Sequence, residues 1–284
     1  MFDIPDTGDG AELPAFAPKL RVLDLFSGCG AYALGLEWAG METVAFCECD
    51  EDRQADLRRN FPGVPIYGDI TELTGARLAA DGIGVDLIIG GFPCQDLSTS
   101  GSGKGLRGER SGLWAEFARL IGEIRPSFVV VENSTELLDG WMGEVLGPLA
   151  EFGFDAEWHC IPAGALGAPH LRWRLWIIAH ASSLGLSGQG GLLNAIHPAP
   201  DAYREASGLV DAVQGGAVPF VCGRHDGFPR RLAESGLRAV GNANPPQVVT
   251  AIGNAILQSL DHTSGDLPNG SRIAGGSDLP FHRG

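Results

Sequence analysis

Long apolar runs are missing from this sequence. None approaches the roughly 18 consecutive apolar residues that a membrane-spanning helix needs, so no membrane partner is expected. Cysteine is sparse, with six in 284 residues, at 29, 47, 49, 94, 160 and 222. That is too few for a disulfide scaffold and fits a reducing, cytoplasmic setting. Cys47 and Cys49 form a lone Cys-x-Cys without a second metal-like pair, so no metal is expected. Residues 1–18 are acidic and lack both a basic start and an apolar core, so no secretion signal is expected there. Internal repeats are absent. Positive charge is scarce: 20 Lys+Arg stand against 35 Asp+Glu, a net charge of −15. Taken over the whole chain, that balance argues against a polyanionic partner.

What is present is a chain of ordinary domain length with 44% apolar residues, enough for a sizeable core and incompatible with global disorder. The charge is uneven. Residues 1–160 hold 27 acidic and 11 basic side chains, whereas residues 170–238 hold seven arginines against five acids. The later segment and the loop after residue 96 are therefore the regions least hostile to a polyanion, although such mixed surfaces are most often simply solvated.

Short apolar runs at 20–26 (LRVLDLF), 43–47, 66–70, 85–89, 128–131 (FVVV) and 175–179 read as strands. Helical patterns follow the first glycine turn, with Leu34, Leu36, Trp38 and Ala39, and recur at 52–60, 113–124, 144–153 and 247–260. Arg125-Pro126 stops the third of these. Alternating strands and helices predict an α/β fold: a Rossmann-like, doubly wound, mainly parallel sheet with a small extra lobe. Functional groups should then collect where strands end at their carboxyl tips. Those points are 26–30, Glu48, Asp69, the 91–98 loop and Glu132. Periodicity dissolves between about 182 and 228, and the polar, glycine-rich stretch after 262 reads as a flexible tail.

Asp24-Leu25-Phe26-Ser27-Gly28-Cys29-Gly30 lets backbone approach a ligand after the first strand, and Glu48 follows about 20 residues later, in position to accept ribose hydroxyls. Glycine spacing alone leaves a dinucleotide and S-adenosylmethionine both open, and equally a plain tight turn. The full dinucleotide fingerprint fails because residue 33 is Ala. The most informative segment is Gly90-Gly91-Phe92-Pro93-Cys94-Gln95-Asp96-Leu97-Ser98. A cysteine held in a glycine- and proline-shaped turn at a strand tip has a fixed direction, and its thiolate would be a strong nucleophile. Taken singly, Cys94 reads as a buried loop cysteine, Glu132 as a solvated or capping acid, and Arg172 with Arg174 as a surface pair.

Together these segments resemble the DNA (cytosine-5)-methyltransferase family, in its compact bacterial or phage form. The matching pieces are DLFSGCG (24–30), Glu48 with Asp50, Gly68-Asp69-Ile70, GGFPCQDLS (90–98), Glu132-Asn133, the Arg-x-Arg of HLRWR (170–174) and GNANPPQV (241–248), in the family's order. Two positions depart from its pattern: His170 stands where Gln is usual, and Asn244 with a Pro245-Pro246 pair stands where an aliphatic residue and one proline are usual.

The resemblance implies a methyltransferase fold and methyl transfer from S-adenosylmethionine to carbon 5 of a flipped-out cytosine in double-stranded DNA. Cys94 would attack carbon 6, Glu132 would hold N3 with Asn133 supporting it, Arg174 would bind O2, and Arg172 would organise phosphate and loop. Phe26, Gly28, Cys29, Gly30, Glu48, Asp69 and Asn242 would bind the cofactor. The loop at 96–111 would be a mobile lid, with Gln95, Ser98, Lys104, Arg107 and Arg110 on DNA. Arg224 and Arg230 would add contacts from the recognition region, where Arg204, His225 and Arg231 are further candidates. On this reading residues 1–18 are a flexible leader, 19–180 with 239–261 a catalytic and cofactor-binding domain, 181–238 a short target-recognition region, and 262–284 a flexible tail. A monomer is expected, in a bacterial cell or phage-infected host, either solitary or beside a cognate restriction endonuclease.

Three other readings remain in view. A catalytically silent DNA-binding relative is opposed by the intact Cys94, Glu132 and Arg174. RNA cytosine-5 methylation is opposed by the absence of the Cys-Phe-Thr element of the family's tRNA-acting branch. A nicotinamide oxidoreductase is opposed by the missing third glycine. Because few phosphate contacts must outcompete a net charge of −15, affinity for duplex DNA should fall steeply between about 50 and about 200 mM salt. A titration showing salt-independent binding over that range would refute the electrostatic picture.

Overall fold

The computed structural model describes residues 19–93, 112–166, 172–186, 192 and 245–265. Seven strands form one sheet in the order β3-β2-β1-β4-β5-β7-β6. They are β1 (Arg21–Leu25), β2 (Glu42–Cys47), β3 (Ile66–Tyr67), β4 (Leu87–Gly90), β5 (Phe128–Asn133), β6 (Phe154–Pro162) and β7 (Trp173–Ala181). The first five are mutually parallel. β7 pairs antiparallel with both β5 and β6, so it alone runs against the rest. The mainly parallel α/β sheet expected from the sequence is present.

Among the described residues six α-helices accompany it: α1 (Ala31–Trp38), α2 (Glu51–Asn60), α3 (Gly75–Ala80), α4 (Leu113–Ile124), α5 (Met142–Glu151) and α6 (Pro246–Gly265). None of the helices described is long and apolar enough to cross a membrane. Central strands read as mostly apolar runs because both of their faces are covered. In β5, Val129 and Val131 enter the core shared with α4 and α5. Phe128 and Val130 enter the core shared with α1 and α6. β1 and β4 split in the same way, Val22, Leu87 and Ile89 facing one core and Leu23 and Ile88 the other.

Local signals set the helix ends. Asp50 caps α2 by accepting from the Asp52 and Arg53 amides at 2.9 and 3.1 Å. Glu51 and Asp52 then sit in its first turn and Arg58 and Arg59 in its last, matching the helix dipole. α4 ends at Arg125 in the left-handed region, φ 53°, immediately before Pro126.

Several elements differ from expectation. β6 was not foreseen, because FDAEWHCIP mixes charges into an edge strand that buries little of its length. β3 is two residues rather than five, since Gly68 and Asp69 turn away to enter the next loop. Trp38, read as part of the apolar face of α1, is 56% exposed; the buried face is Tyr32, Ala33, Gly35 and Leu36. Of the recognition region 181–238, only 181–186 and Leu192 are described, and Leu186 and Leu192 pack into the core on the α1 side. The leader 1–18 lies outside the described residues, as does the tail beyond 265.

α6 lies directly against α1 because two glycines let the helices touch. A Cβ at Gly35 would sit 2.5 Å from the Pro246 carbonyl oxygen, and one at Gly253 would sit 2.7 Å from the Ala39 Cβ. The Thr250 hydroxyl donates to the Gly35 carbonyl at 2.9 Å across this contact. Gly253→Val should therefore overpack the interface and cost about 1–3 kcal/mol. A clear fall in melting temperature checks this, and an unchanged one would mean that the helices can separate without penalty.

Candidate active site

The strand order reverses between β1 and β4, the place where open α/β sheets bind ligands. Leu25 at the tip of β1 is in register with Gly90 at the tip of β4, and Gly90 with Val131 in β5. The glycine turn, the Gly90-Gly91 segment and Glu132 thus line up along one carboxyl edge.

On the β1 side the chain leaves the strand through Phe26 at φ 54°, an uncommon backbone for a bulky residue. Ser27 braces the turn by donating from Oγ to the Asp24 carbonyl at 2.7 Å. Gly28 has φ 55° and nothing within 4 Å of where a Cβ would be, so the turn is open on that side. Gly30 is glycine for a second reason: a Cβ there would collide with the Phe61 ring. With no side chain at Gly30 to cap α1, the buried Asp24 does it from the preceding strand, accepting from the Ala33 amide at 3.3 Å.

Glu48, just past the tip of β2, ties the glycine turn to the start of α2. Its Oε2 accepts from the Gly28 amide at 2.7 Å and its Oε1 from the Asp50 amide at 2.9 Å. Asp69 is exposed and turns its own loop, its Oδ1 accepting from the Thr71 amide and hydroxyl at 2.9 and 2.8 Å. Those bonds hold its carboxyl below the usual range. The loop is tied to α4 by Arg119, which donates to the carbonyls of Ile70 and Leu73 at 2.8 and 2.9 Å. Phe26 rests its ring on Phe117 of α4, with centroids 6.4 Å apart. Burial pushes the Cys29 thiol up, which keeps it neutral.

On the β5 side Glu132 is 8% exposed. Its Oε1 pairs with Arg174 Nε at 2.9 Å, and its Oε2 accepts from the Tyr32 hydroxyl at 3.0 Å. Both groups lie over Gly91, where a Cβ would be 2.6 Å from Glu132 Oε2 and from Tyr32 Oη. Asn133, also buried, donates from Nδ2 to the Phe92 carbonyl at 3.2 Å and so holds the chain two residues before Cys94. Burial and the positive charge of Arg174 lower the pKa of Arg172, with Glu132 and Tyr32 opposing them. It still remains a cation at neutral pH.

Of the residues expected in the site, Phe26, Gly28, Cys29, Gly30, Glu48 and Asp69 gather on the first flank and Glu132, Arg172 and Arg174 on the second. Cys94, Gln95, Ser98, Lys104, Arg107, Arg110, Asn242, Arg224 and Arg230 lie outside the described residues, as do Arg204, His225, Arg231, His170 and Asn244. Sequence reasoning missed Tyr32, which reads as one more apolar residue on α1. It also missed Asp24 as a cap and Arg119 as a brace. An aspartate inside an otherwise apolar strand was the one signal available for Asp24.

The family pattern described as C-5 cytosine-specific DNA methylase matches residues 20–211. Among curated proteins, the chain is 36% identical over 168 residues to the type II methyltransferase M2.BsuMI of Bacillus subtilis, covering 56% of this chain and 42% of that one. It is 34% identical over 163 residues to M.CviJI of Paramecium bursaria Chlorella virus IL3A, covering 57% and 43%. It is 32% identical over 226 residues to M.Eco47II of Escherichia coli, covering 75% and 51%. The chain thus spans about half the length of these relatives. Among solved structures, a protein encoded within an E. coli prophage and proposed to be a DNA modification methyltransferase superposes with a TM-score of 0.63 at 19% identity, over 86% of this chain and all of that one. Spodoptera frugiperda DNMT2 superposes with a TM-score of 0.52 at 20% identity, over 60% of this chain and 53% of that one. Both likenesses speak to the fold.

The buried Asp24 generates a pH dependence. Burial raises its carboxyl well above the usual value of 3.8; the Ala33 amide opposes this, and the charge of Glu48 adds to it. The unfolded chain therefore releases this proton first, so its contribution to stability is full below 3.8 and is lost as pH rises through the folded value. Asp24→Asn keeps an acceptor for Ala33 and has no charge to bury. Its melting temperature relative to wild type should climb as pH rises above about 4. A difference that stays flat with pH would show that Asp24 is not the source.

Proposed function

The chain belongs to the C-5 cytosine-specific DNA methylase family, and from that premise we propose that it transfers a methyl group from S-adenosylmethionine to carbon 5 of a flipped-out cytosine in duplex DNA. The observation that carries the proposal is the Glu132–Arg174 pair at 2.9 Å, set over Gly91 three residues before Cys94 and across the switch point from the glycine turn.

The residues on the β1 side fit the cofactor. The turn is open at Gly28, and Glu48 stands against it with carboxylate lone pairs available to ribose hydroxyls. S-adenosylmethionine, when bound, supplies an electrophilic methyl group on a sulfonium.

The remaining roles fall to this chain. Cytosine carbon 5 is a weak nucleophile while the ring is aromatic. Addition of the Cys94 thiolate to carbon 6 forms a C–S bond and turns the ring into an enamine, with charge building toward N3. N3 takes up a proton as that charge builds, and the N3–H donates to Glu132 while Arg174 binds O2 from the same edge. Carbon 5 then accepts the methyl group. Loss of its proton to a base and departure of Cys94 restore the ring. A base inside a duplex is out of reach of such groups, so it must leave the stack. Lys104, Arg107 and Arg110 in the loop after Cys94 are suited to phosphates, and Arg172, Arg224 and Arg230 extend that role. Asn133 keeps the loop's first residues on β5, and Asn242 completes the cofactor wall.

The test is transfer of labelled methyl groups to unmethylated duplex DNA by the wild type and by Cys94→Ser. Label should enter DNA with the wild type, and bisulfite sequencing should place it at cytosine. Cys94→Ser should lose about a thousandfold or more, as removal of a catalytic nucleophile does. If neither protein transfers label while S-adenosylmethionine still raises the melting temperature, the chain is a silent DNA-binding relative or acts on RNA, and this reading fails.

A further inference from the structure

We propose that Tyr32 is a positioning residue for Glu132, holding the carboxylate that faces the target base from the helix that closes the cofactor turn. This rests on the methyl-transfer reading above.

The two oxygens of Glu132 are held by different elements. Arg174 on β7 takes Oε1 at 2.9 Å, and the Tyr32 hydroxyl on α1 donates to Oε2 at 3.0 Å. With Arg174 alone the carboxyl plane would turn about its last bond; a donor on the second oxygen stops it. The donor is itself fixed. Tyr32 is only 9% exposed, and its ring stands edge-on to Trp176 with centroids 6.0 Å apart and planes at 72°. Trp176 is the residue in register with Glu132 across the β5–β7 pair, so carboxylate and ring are braced by the same strand. Gly91 leaves the space in which they meet, since a Cβ there would be 2.6 Å from both oxygens.

Tyr32 also lies two residues beyond Gly30, in the first turn of α1. The element that fixes the glycine turn therefore also sets the second oxygen of Glu132, and the two flanks of the site share one rigid piece. A phenylalanine would fill the same volume and supply no hydrogen bond. The hydroxyl is thus what the site uses, beyond the packing of the ring.

Tyr32→Phe tests this directly. At saturating cofactor and DNA, kcat should fall about tenfold, which corresponds to about 1.4 kcal/mol. KM for each substrate and the melting temperature should stay within about twofold and a few degrees of wild type. In a Glu132→Gln background the same change should cost nothing further, because Tyr32 acts only through that carboxylate. A crystal structure of Tyr32→Phe should show the Glu132 carboxylate turned, with the Arg174 contact retained. Unchanged kcat, an equal loss in the Glu132→Gln background, or a carboxylate that has not moved would each overturn the proposal. If the wild type transfers no methyl group, the functional reading falls by that result alone, and the carboxylate position in the crystal still decides the role of Tyr32.

Discussion

A carboxylate at the tip of a central strand has been taken almost wholly out of water, and the geometry of the site follows from how it is matched. Glu132 lies at the end of β5, flanked by β4 and β7. Leaving it there without a partner would cost several kcal/mol. The guanidinium that answers it precedes the apolar segment LWIIA, in the order Arg174 then Leu175–Ala179. In a parallel strand, Arg174 would lie at the far edge of the sheet. Only a strand running backwards can bury LWIIA beside β5 and still bring the arginine to the carboxyl edge. β7 does this, and β6 then continues the sheet as its outer strand.

Charge is divided along that edge. Glu48, Asp50 and Asp69 stand on the β2–β3 side, and Arg172 and Arg174 on the β7 side. The excess of acid over the whole chain therefore says little about the face proposed to meet a polyanion. The division accords with a cationic sulfonium at one end of the proposed site and a phosphate backbone at the other.

The strands that were legible are the ones buried on both faces. β1, β4 and β5 are apolar over most of their buried length, with Asp24 and the Glu132-Asn133 end as the buried exceptions, so they appear as runs. β6 is an edge strand and carries Asp155, Glu157 and His159 without penalty, which hides it. The direction of β7 was illegible for a different reason: reversing a strand leaves its composition unchanged. Glu48 could be read from its spacing after the glycine turn, because one strand–helix–strand unit fixes that distance. Glu132 and the arginines took on meaning only as members of a set that resembles a family. Tyr32 could not be read at all, since a tyrosine on the buried face of a helix satisfies the apolar pattern whether or not its hydroxyl is used. Asp50 carried weight in the resemblance, and here it caps α2 while its amide orients Glu48.

The contact between α1 and α6 has a consequence in time as well as in space. Thr250 and Gly35 are 215 residues apart in sequence, yet one hydrogen bond and two glycine approaches join them. Contacts of such long separation form late, because the loop between them must close first. During synthesis, α1 leaves the ribosome long before the helix that covers it. Until then the helix that begins at the glycine turn has one flank open to solvent. Synthesis of α6 and rigidity of the glycine turn are thus reached together, so a chain halted before α6 would carry most of the sequence motifs without the support that holds the first of them in shape.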